Sequence, residues 1–287
     1  MRTALTLLGT VSTGLTTVIV TRMFCKPARK KIGEKQRLFY KDGITETLRI
    51  RGYTIKVFKK GNGKPVYVTH GWGSYGYDMK PLVHTLIKEK YQVILPDLPC
   101  HGRSSGRLID QIEMAKVIEA LLLHYNAQSP IEIMVTHSWG GTAALLALDR
   151  IMKSDRPGFR IRKMVSVSMP SFPNAITDIF CNTLRLSEPI KKGLALNLVK
   201  IARNDHRTVE EAFPIGLTGL LGEARFDYLL IHGKSDAVVS CTNTTRLADA
   251  FPHIRTQLEE GLGHVDILKQ EKVHAAIIRH FETLSYP

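Results

Sequence analysis

Acidic residues are in short supply. Asp and Glu number 26 against 40 Lys and Arg, a formal net charge of +14 over 287 residues. Such a balance suits nucleic acid, anionic lipid or acidic substrates. The chain has no helix-turn-helix, zinc-finger or RNA-recognition signature that would turn charge into nucleic-acid binding. The excess is read as a basic, solvated surface, and no nucleic-acid partner is expected. Cysteine is scarce too. Cys25, Cys100, Cys181 and Cys241 are scattered and form no C-x-x-C pair, which removes support for a zinc site or a thioredoxin-like redox motif. A reducing compartment fits this usage best, with two disulfides left open. Internal repeats and low-complexity stretches are lacking. What remains is ordinary for a globular protein: 44% hydrophobic and 23% charged residues, in a chain long enough to bury a sizeable core.

The N-terminal residues differ from the rest. Thr3 to Val20 carries no charge, and a basic run follows at Lys26, Arg29, Lys30, Lys31, Lys35 and Arg37. The run approaches the ~20 apolar residues of a bilayer-spanning helix, although six threonines (Thr3, Thr6, Thr10, Thr13, Thr16 and Thr17) dilute it. A cleaved signal would want a basic start and a small-residue cleavage site; only Arg2 precedes the run and no A-x-A follows. The preferred expectation is a membrane anchor within residues 1–25, then a basic linker over 26–44. The positive-inside tendency then places the main domain, 45–287, in the cytoplasm. The alternative is a buried or peripheral N-terminal helix.

Beyond the linker, Thr47 to Phe58 alternates and breaks at Arg51-Gly52, which predicts an antiparallel hairpin. Apolar runs at Pro65–Thr69, Tyr91–Leu95, Ile131–Val135, Ile161–Val167, Phe226–Ile231 and Ile254–Leu258 read as buried strands. Helical spacing at Met79–Lys90, Ile109–Tyr125, Gly140–Lys153, Thr242–Ala250 and Val265–Phe281 separates them. Strands without polar alternation, each followed by a helix, predict an α/β protein with a mostly parallel sheet covered on both faces. The rhythm lapses from about 169 to 225, which reads as an inserted helical lid; Thr208 with Glu211 offers a capping box there. Phe172, Ile176, Ile179, Phe180, Leu184, Leu186, Leu194, Leu198, Val199, Ile201 and Phe213 are its apolar residues. Lys191, Lys192, Lys200, Arg203 and Arg207 are its basic ones. The first set reads chiefly as lid core, with a share in an acyl pocket, and the second as a solvated face.

The strongest chemical signal is Thr136-His137-Ser138-Trp139-Gly140-Gly141, between a predicted buried strand and a predicted helix. A serine on a sharp strand-to-helix turn presents its hydroxyl above the sheet, and small residues must follow where backbones come close. The helix N-terminus adds positive partial charge beneath a forming oxyanion. From about Pro65 onward the sequence resembles the α/β-hydrolase family. Its elbow is G-x-S-x-G, and Thr136 stands at the first glycine. The resemblance implies Ser138 as nucleophile. Ile231-His232-Gly233-Lys234-Ser235-Asp236 resembles the family's acid loop and implies Asp236 as the acid. Glu260-Gly261-Leu262-Gly263-His264 resembles the loop that carries the base and implies His264. The chain order serine, aspartate, histidine is the family's own. Asp178 is a rival acid after the sixth strand.

His70-Gly71-Trp72-Gly73 resembles the family's oxyanion loop, which implies the backbone amides of Trp72 and Trp139 as donors to the developing charge. Asp97-Leu98-Pro99-Cys100-His101-Gly102-Arg103-Ser104 resembles a loop that is mostly structural in the family, with Cys100 at a glycine position. Cys100 as a nucleophile lacks an attendant base motif. The expected activity is hydrolysis of a carboxylic ester of medium acyl length through an acyl-serine. No organic cofactor and no metal is expected. The partners expected are a small acyl-containing ester and, through the N-terminal segment, a membrane. A thioester or carbon–carbon substrate would use the same residues. Family members that cleave epoxides or carbon–halogen bonds use an aspartate nucleophile, which Ser138 argues against. A non-catalytic binding module on the same fold is the reading from another class.

Overall fold

The computed structural model of the chain describes residues 12–154, 158–171, 173–203, 221–222 and 226–283. Two helices come first, α1 (Thr13–Phe24) and α2 (Glu34–Lys41). The hairpin β1 (Ile44–Ile50) and β2 (Tyr53–Lys60) follows, closed at Arg51 and Gly52, both of positive φ. Then come β3 (Pro65–Thr69), a 3₁₀ turn (Gly76–Met79), α3 (Lys80–Lys88), β4 (Gln92–Asp97), α4 (Gln111–Asn126), β5 (Ile133–His137), α5 (Trp139–Lys153) and β6 (Lys163–Val167). Helices α6 (Pro173–Leu184) and α7 (Glu188–Arg203) precede β7 (Asp227–Gly233), α8 (Thr242–Ala250), β8 (Arg255–Glu259), a 3₁₀ turn (Asp266–Lys269) and α9 (Glu271–Glu282).

Among the described residues the strands form one eight-stranded sheet in the order β1-β2-β4-β3-β5-β6-β7-β8. The β1–β2 and β2–β4 pairs are antiparallel, and every pair from β4 to β8 is parallel. Strands β3, β5 and β6 are buried at every position. That is why they read as continuous apolar runs. One face carries Tyr67, Met134 and Leu230 against α4 and α5; the other carries Val66, Val135 and Ile231 against α3 and α9. Each fully buried side chain of this kind contributes about 1.5–3 kcal/mol. The chain order reverses beside β3, whose neighbours are β4 and β5. In such sheets the crevice at the carboxyl ends of the strands beside the reversal is where ligands bind.

Differences from the sequence reading have local causes. Strand β5 ends at His137 rather than Val135, because His137 pairs with Val167 on β6; apolar runs mark strands, but pairing sets their ends. The helix expected over Val265–Phe281 is broken at Gln270, which is extended (φ −90°, ψ 122°). The stretch read from its charge as a linker contains α2, whose Phe39 and Tyr40 are buried beside Phe58. No helix of the described residues is long and apolar enough to cross a membrane, and residues 1–11 of the expected anchor lie outside them. Instead α1, of 12 residues, packs on the domain through Thr16, Thr17, Val20, Thr21 and Phe24. Its threonines fold their hydroxyls back onto the helix: Thr16 donates to Ser12 O, Thr17 to Thr13 O and Thr21 to Thr17 O, each at 2.8 Å. Phe172, Arg207, Thr208, Glu211 and Phe213 also lie outside the described part, and with them the expected capping box.

Candidate active site

The elbow follows from local strain. Ser138 sits between β5 and α5 with φ 52° and ψ −136°, a conformation that disfavours any residue with a Cβ and persists only where the surroundings enforce it. Its amide donates to Val167 O at 2.9 Å. The backbones around it are too close for larger residues. A Cβ on Gly140 would stand 2.2 Å from His70 O, and one on Gly71 would stand 2.7 Å from Ser138 Cβ. Thr136 takes the place of the elbow's first glycine without crowding Ser138. Its hydroxyl pairs with Ser166 Oγ at 2.7 Å, and Tyr228 donates to that same Oγ at 2.8 Å. Its hydroxyl thus belongs to a buried polar chain across β5, β6 and β7.

The three residues expected to act together do meet. His264 Nε2 is 2.9 Å from Ser138 Oγ, and His264 Nδ1 is 2.7 Å from Asp236 Oδ2. Asp236 is buried at the end of β7, and its Oδ1 accepts from the amides of Val238 and Val239, both at 2.8 Å. Burial alone would raise this carboxyl. Hydrogen bonds from His232 and His264, together with the Val239 amide, outweigh burial and hold it well below the ordinary carboxylate range. An ionised carboxylate only accepts. So Nδ1 of His264 carries the proton and Nε2 faces Ser138 as an acceptor. The rival acid Asp178 is exposed on α6, and Asp236 holds the imidazole nitrogen it would need.

The proposed oxyanion donors belong to residues next to Ser138 in the chain and next to Gly71, which packs on it. The Trp139 amide is the first of α5, where no acceptor exists within the helix. The Trp72 amide follows Gly71, the residue packed on Ser138. Neither amide donates to a backbone acceptor among the described residues. The two indoles are 4.2 Å apart, centroid to centroid.

Three further histidines support the site, and each borders a motif that the sequence reading used without assigning them a part. His70 accepts from the Leu98 amide at Nε2 (3.0 Å), so its Nδ1 donates to Gly71 O (2.8 Å), tying the β3 and β4 loops together. His137 places Nε2 2.9 Å from His264 O and so steadies the loop that carries His264. Burial, with His264 beside it, pushes His137 down to about 3. His232 Nε2 faces Val239 O at 2.8 Å and Asp236 Oδ2 at 3.3 Å, both acceptors, so it donates; its Nδ1 accepts from Thr244. The signal available in the sequence was position alone: His137 adjoins Ser138, His70 is two residues from Trp72, and His232 is four from Asp236.

The loop after β4 is structural in this protein. Asp97 accepts from the Gly76 amide, Tyr40, the Arg103 amide and the Arg103 side chain. Cys100 has φ 67°, which accounts for glycine being the family's residue there. Burial pushes its thiol up to about 11, so it is a neutral thiol rather than a nucleophile. All four cysteines are free. Among the described residues no group of three His, Cys, Asp or Glu side chains could hold a metal.

Comparison with known proteins agrees with this architecture. A family model described as the alpha/beta hydrolase fold matches residues 64–180. A soluble epoxide hydrolase of Corynebacterium sp. (strain C12) is 30% identical over 97 residues; the match spans a third of this chain (33%) and a third of that relative (33%). Among solved structures, an esterase of Pyrococcus furiosus superposes with a TM-score of 0.65 at 16% identity, covering 89% of this chain and 98% of that one. A bromoperoxidase of Bacillus anthracis gives 0.62 at 20% identity, covering 84% and 100%. These identities speak for the fold and leave the chemistry to the site. With the sheet order and the strand-to-helix elbow, they show that this chain has the α/β-hydrolase fold.

Proposed function

We propose that the protein is a serine hydrolase that cleaves a carboxylic ester through an acyl-serine intermediate. The observation that carries this reading is the unbroken hydrogen-bonded line from Asp236 through His264 to Ser138. A serine hydroxyl is a weak nucleophile until a base takes its proton. In this scheme Ser138 Oγ attacks the ester carbonyl carbon while His264 Nε2 accepts the hydroxyl proton. Asp236 steadies the imidazolium. The carbonyl oxygen becomes an oxyanion, held by the amides of Trp72 and Trp139. The carbon–oxygen bond to the alcohol then breaks, and His264 returns the proton to the departing alkoxide. Water attacks the acyl-serine with His264 again as base, and the acid leaves with Ser138 restored.

The partial relative is named an epoxide hydrolase, a chemistry that in this fold uses an aspartate nucleophile; the elbow here presents Ser138. Helices α6 and α7, inserted between β6 and β7 and packed on Trp139, act as the lid in this reading. The substrate is a small ester without cofactor or metal. A fluorophosphonate probe tests the assignment. Labelling that maps to Ser138 and is lost in Ser138→Ala supports it. A folded protein that takes up no label contradicts it and favours the binding-module reading.

A further inference from the structure

The N-terminal helix reaches the candidate catalytic centre. Phe24, the last residue of α1, is 6% exposed. Its ring stacks on Trp72 (centroids 6.4 Å, interplanar 25°), tilts onto Trp139 (5.4 Å) and meets Phe180 of α6 edge-on (5.2 Å). One phenyl ring thus contacts the side chains of both residues whose amides flank Ser138, together with the inserted helix above them. Nothing in the sequence separation of these residues anticipates it.

The placement is built in at several points. Just past α1, Cys25 O accepts from the Ile109 amide at 2.8 Å. Along α1, Asn197 of α7 donates to Thr21 Oγ1 at 3.1 Å. A Cβ on Gly193 of α7 would stand 2.6 Å from Thr17, so the two helices touch where only glycine fits. Val20, Phe24 and Trp139 share one apolar cluster with Cys181, Leu184 and Leu194. The cluster buries the Trp139 indole and leaves Trp72 half-buried at its edge.

We infer that α1 is a wall of the substrate pocket and that Phe24 ends its acyl side, limiting the enzyme to esters of short acyl chains. The inference rests on the serine-hydrolase reading and narrows it, from the medium acyl length that the apolar lid residues suggest to a shorter one. An acyl group whose carbonyl oxygen sits between the Trp72 and Trp139 amides has its chain beside the two indoles. A long chain there collides with the phenyl ring or must displace it. Removing the ring opens apolar volume, and each methylene that a pocket newly accommodates is worth roughly tenfold or more in discrimination.

The test is a series of p-nitrophenyl esters from acetyl to dodecanoyl, with wild type, Phe24→Leu and Phe24→Ala. Fluorophosphonate labelling of Ser138 is followed in parallel. Wild type is expected to favour acetyl or butyryl over octanoyl. Phe24→Ala should raise the octanoyl-to-acetyl ratio of kcat/KM by at least about tenfold, and Phe24→Leu by less. A wild type that prefers octanoyl or longer esters overturns the inference without recourse to any variant. So does an unchanged ratio in variants that still label at Ser138. Absence of labelling in wild type overturns the serine-hydrolase reading, and this inference with it.

Discussion

His232 Nε2 lies 3.3 Å from Asp236 Oδ2, the same oxygen that His264 Nδ1 meets at 2.7 Å. The candidate acid is therefore shared between two histidines, one facing Ser138 and one wholly buried. Replacing His232 with Phe removes a donor from a buried carboxylate and strands Thr244 and Val239 O, at a cost of about 1–3 kcal/mol in stability. Misplacement of Asp236 should lower kcat by roughly tenfold or more. His232→Gln keeps a side-chain N–H and should retain more of both. Urea denaturation and ester kinetics on the two variants check this; equal kcat in wild type and His232→Phe would remove His232 from the positioning of Asp236.

Acid should weaken the fold well above the carboxylate range. Burial pushes His101 and His137 down to about 3 each, with a neighbouring histidine adding to it. The unfolded chain titrates these groups near about 6.5. The folded state therefore binds fewer protons between those values, so their contribution is complete above the unfolded value and is lost as pH falls. The slope is about 1.4 kcal/mol per pH unit for each group. Asp236, held low, adds a separate loss that begins only as pH falls below the ordinary carboxylate value. Urea midpoints from pH 7 to pH 5 should drop steeply, and His137→Asn should flatten that drop. A slope unchanged by the substitution would show His137 to be protonated in the folded state.

Backbone strain at the elbow gives a prediction in which stability and activity part. At φ 52° and ψ −136° Ser138 occupies a region natural to glycine. Ser138→Gly should be inactive yet more stable than Ser138→Ala by about 1 kcal/mol or more. Thermal melts of the two variants test this directly, and identical melting temperatures would argue against a strained elbow.

Gly71 carries the reverse case. A methyl there would stand 2.7 Å from Ser138 Cβ and 3.2 Å from its Oγ. Gly71→Ala should lower kcat by roughly a hundredfold, as expected when reacting groups shift by about 1 Å. Most of the molecule should stay intact, since the clash is confined to Ser138 and the carbonyl of His137 beside it. Activity within twofold of wild type would mean that the loop yields instead of the nucleophile.

What the sequence made legible follows from where information is local. Ser138 and Asp236 each follow a buried apolar strand, and His264 adjoins Gly263 in a glycine-containing loop, so local pattern and family order sufficed to bring them together. The sheet was legible for the same reason, because β3, β5 and β6 are buried on both faces and read as unbroken apolar runs. Phe24 was not legible. Its segment has the apolar content of a membrane helix, and only tertiary contact with Trp72, Trp139 and α7 reveals an intramolecular partner. Helix α2 was hidden by its own charge: Phe39 and Tyr40 alone face inward. His232 was hidden by proximity, since a histidine beside Gly233 reads as part of the turn.

The most direct measurement is to mix the protein with a p-nitrophenyl ester, quench in acid during turnover and map the acyl group by peptide mass. Hydrolysis through the proposed route predicts an acyl adduct on the peptide that contains Ser138, accumulating with a burst of p-nitrophenolate, and absent from Ser138→Ala. Turnover with the acyl group on another residue, or turnover that persists in Ser138→Ala, would contradict Ser138 as the nucleophile.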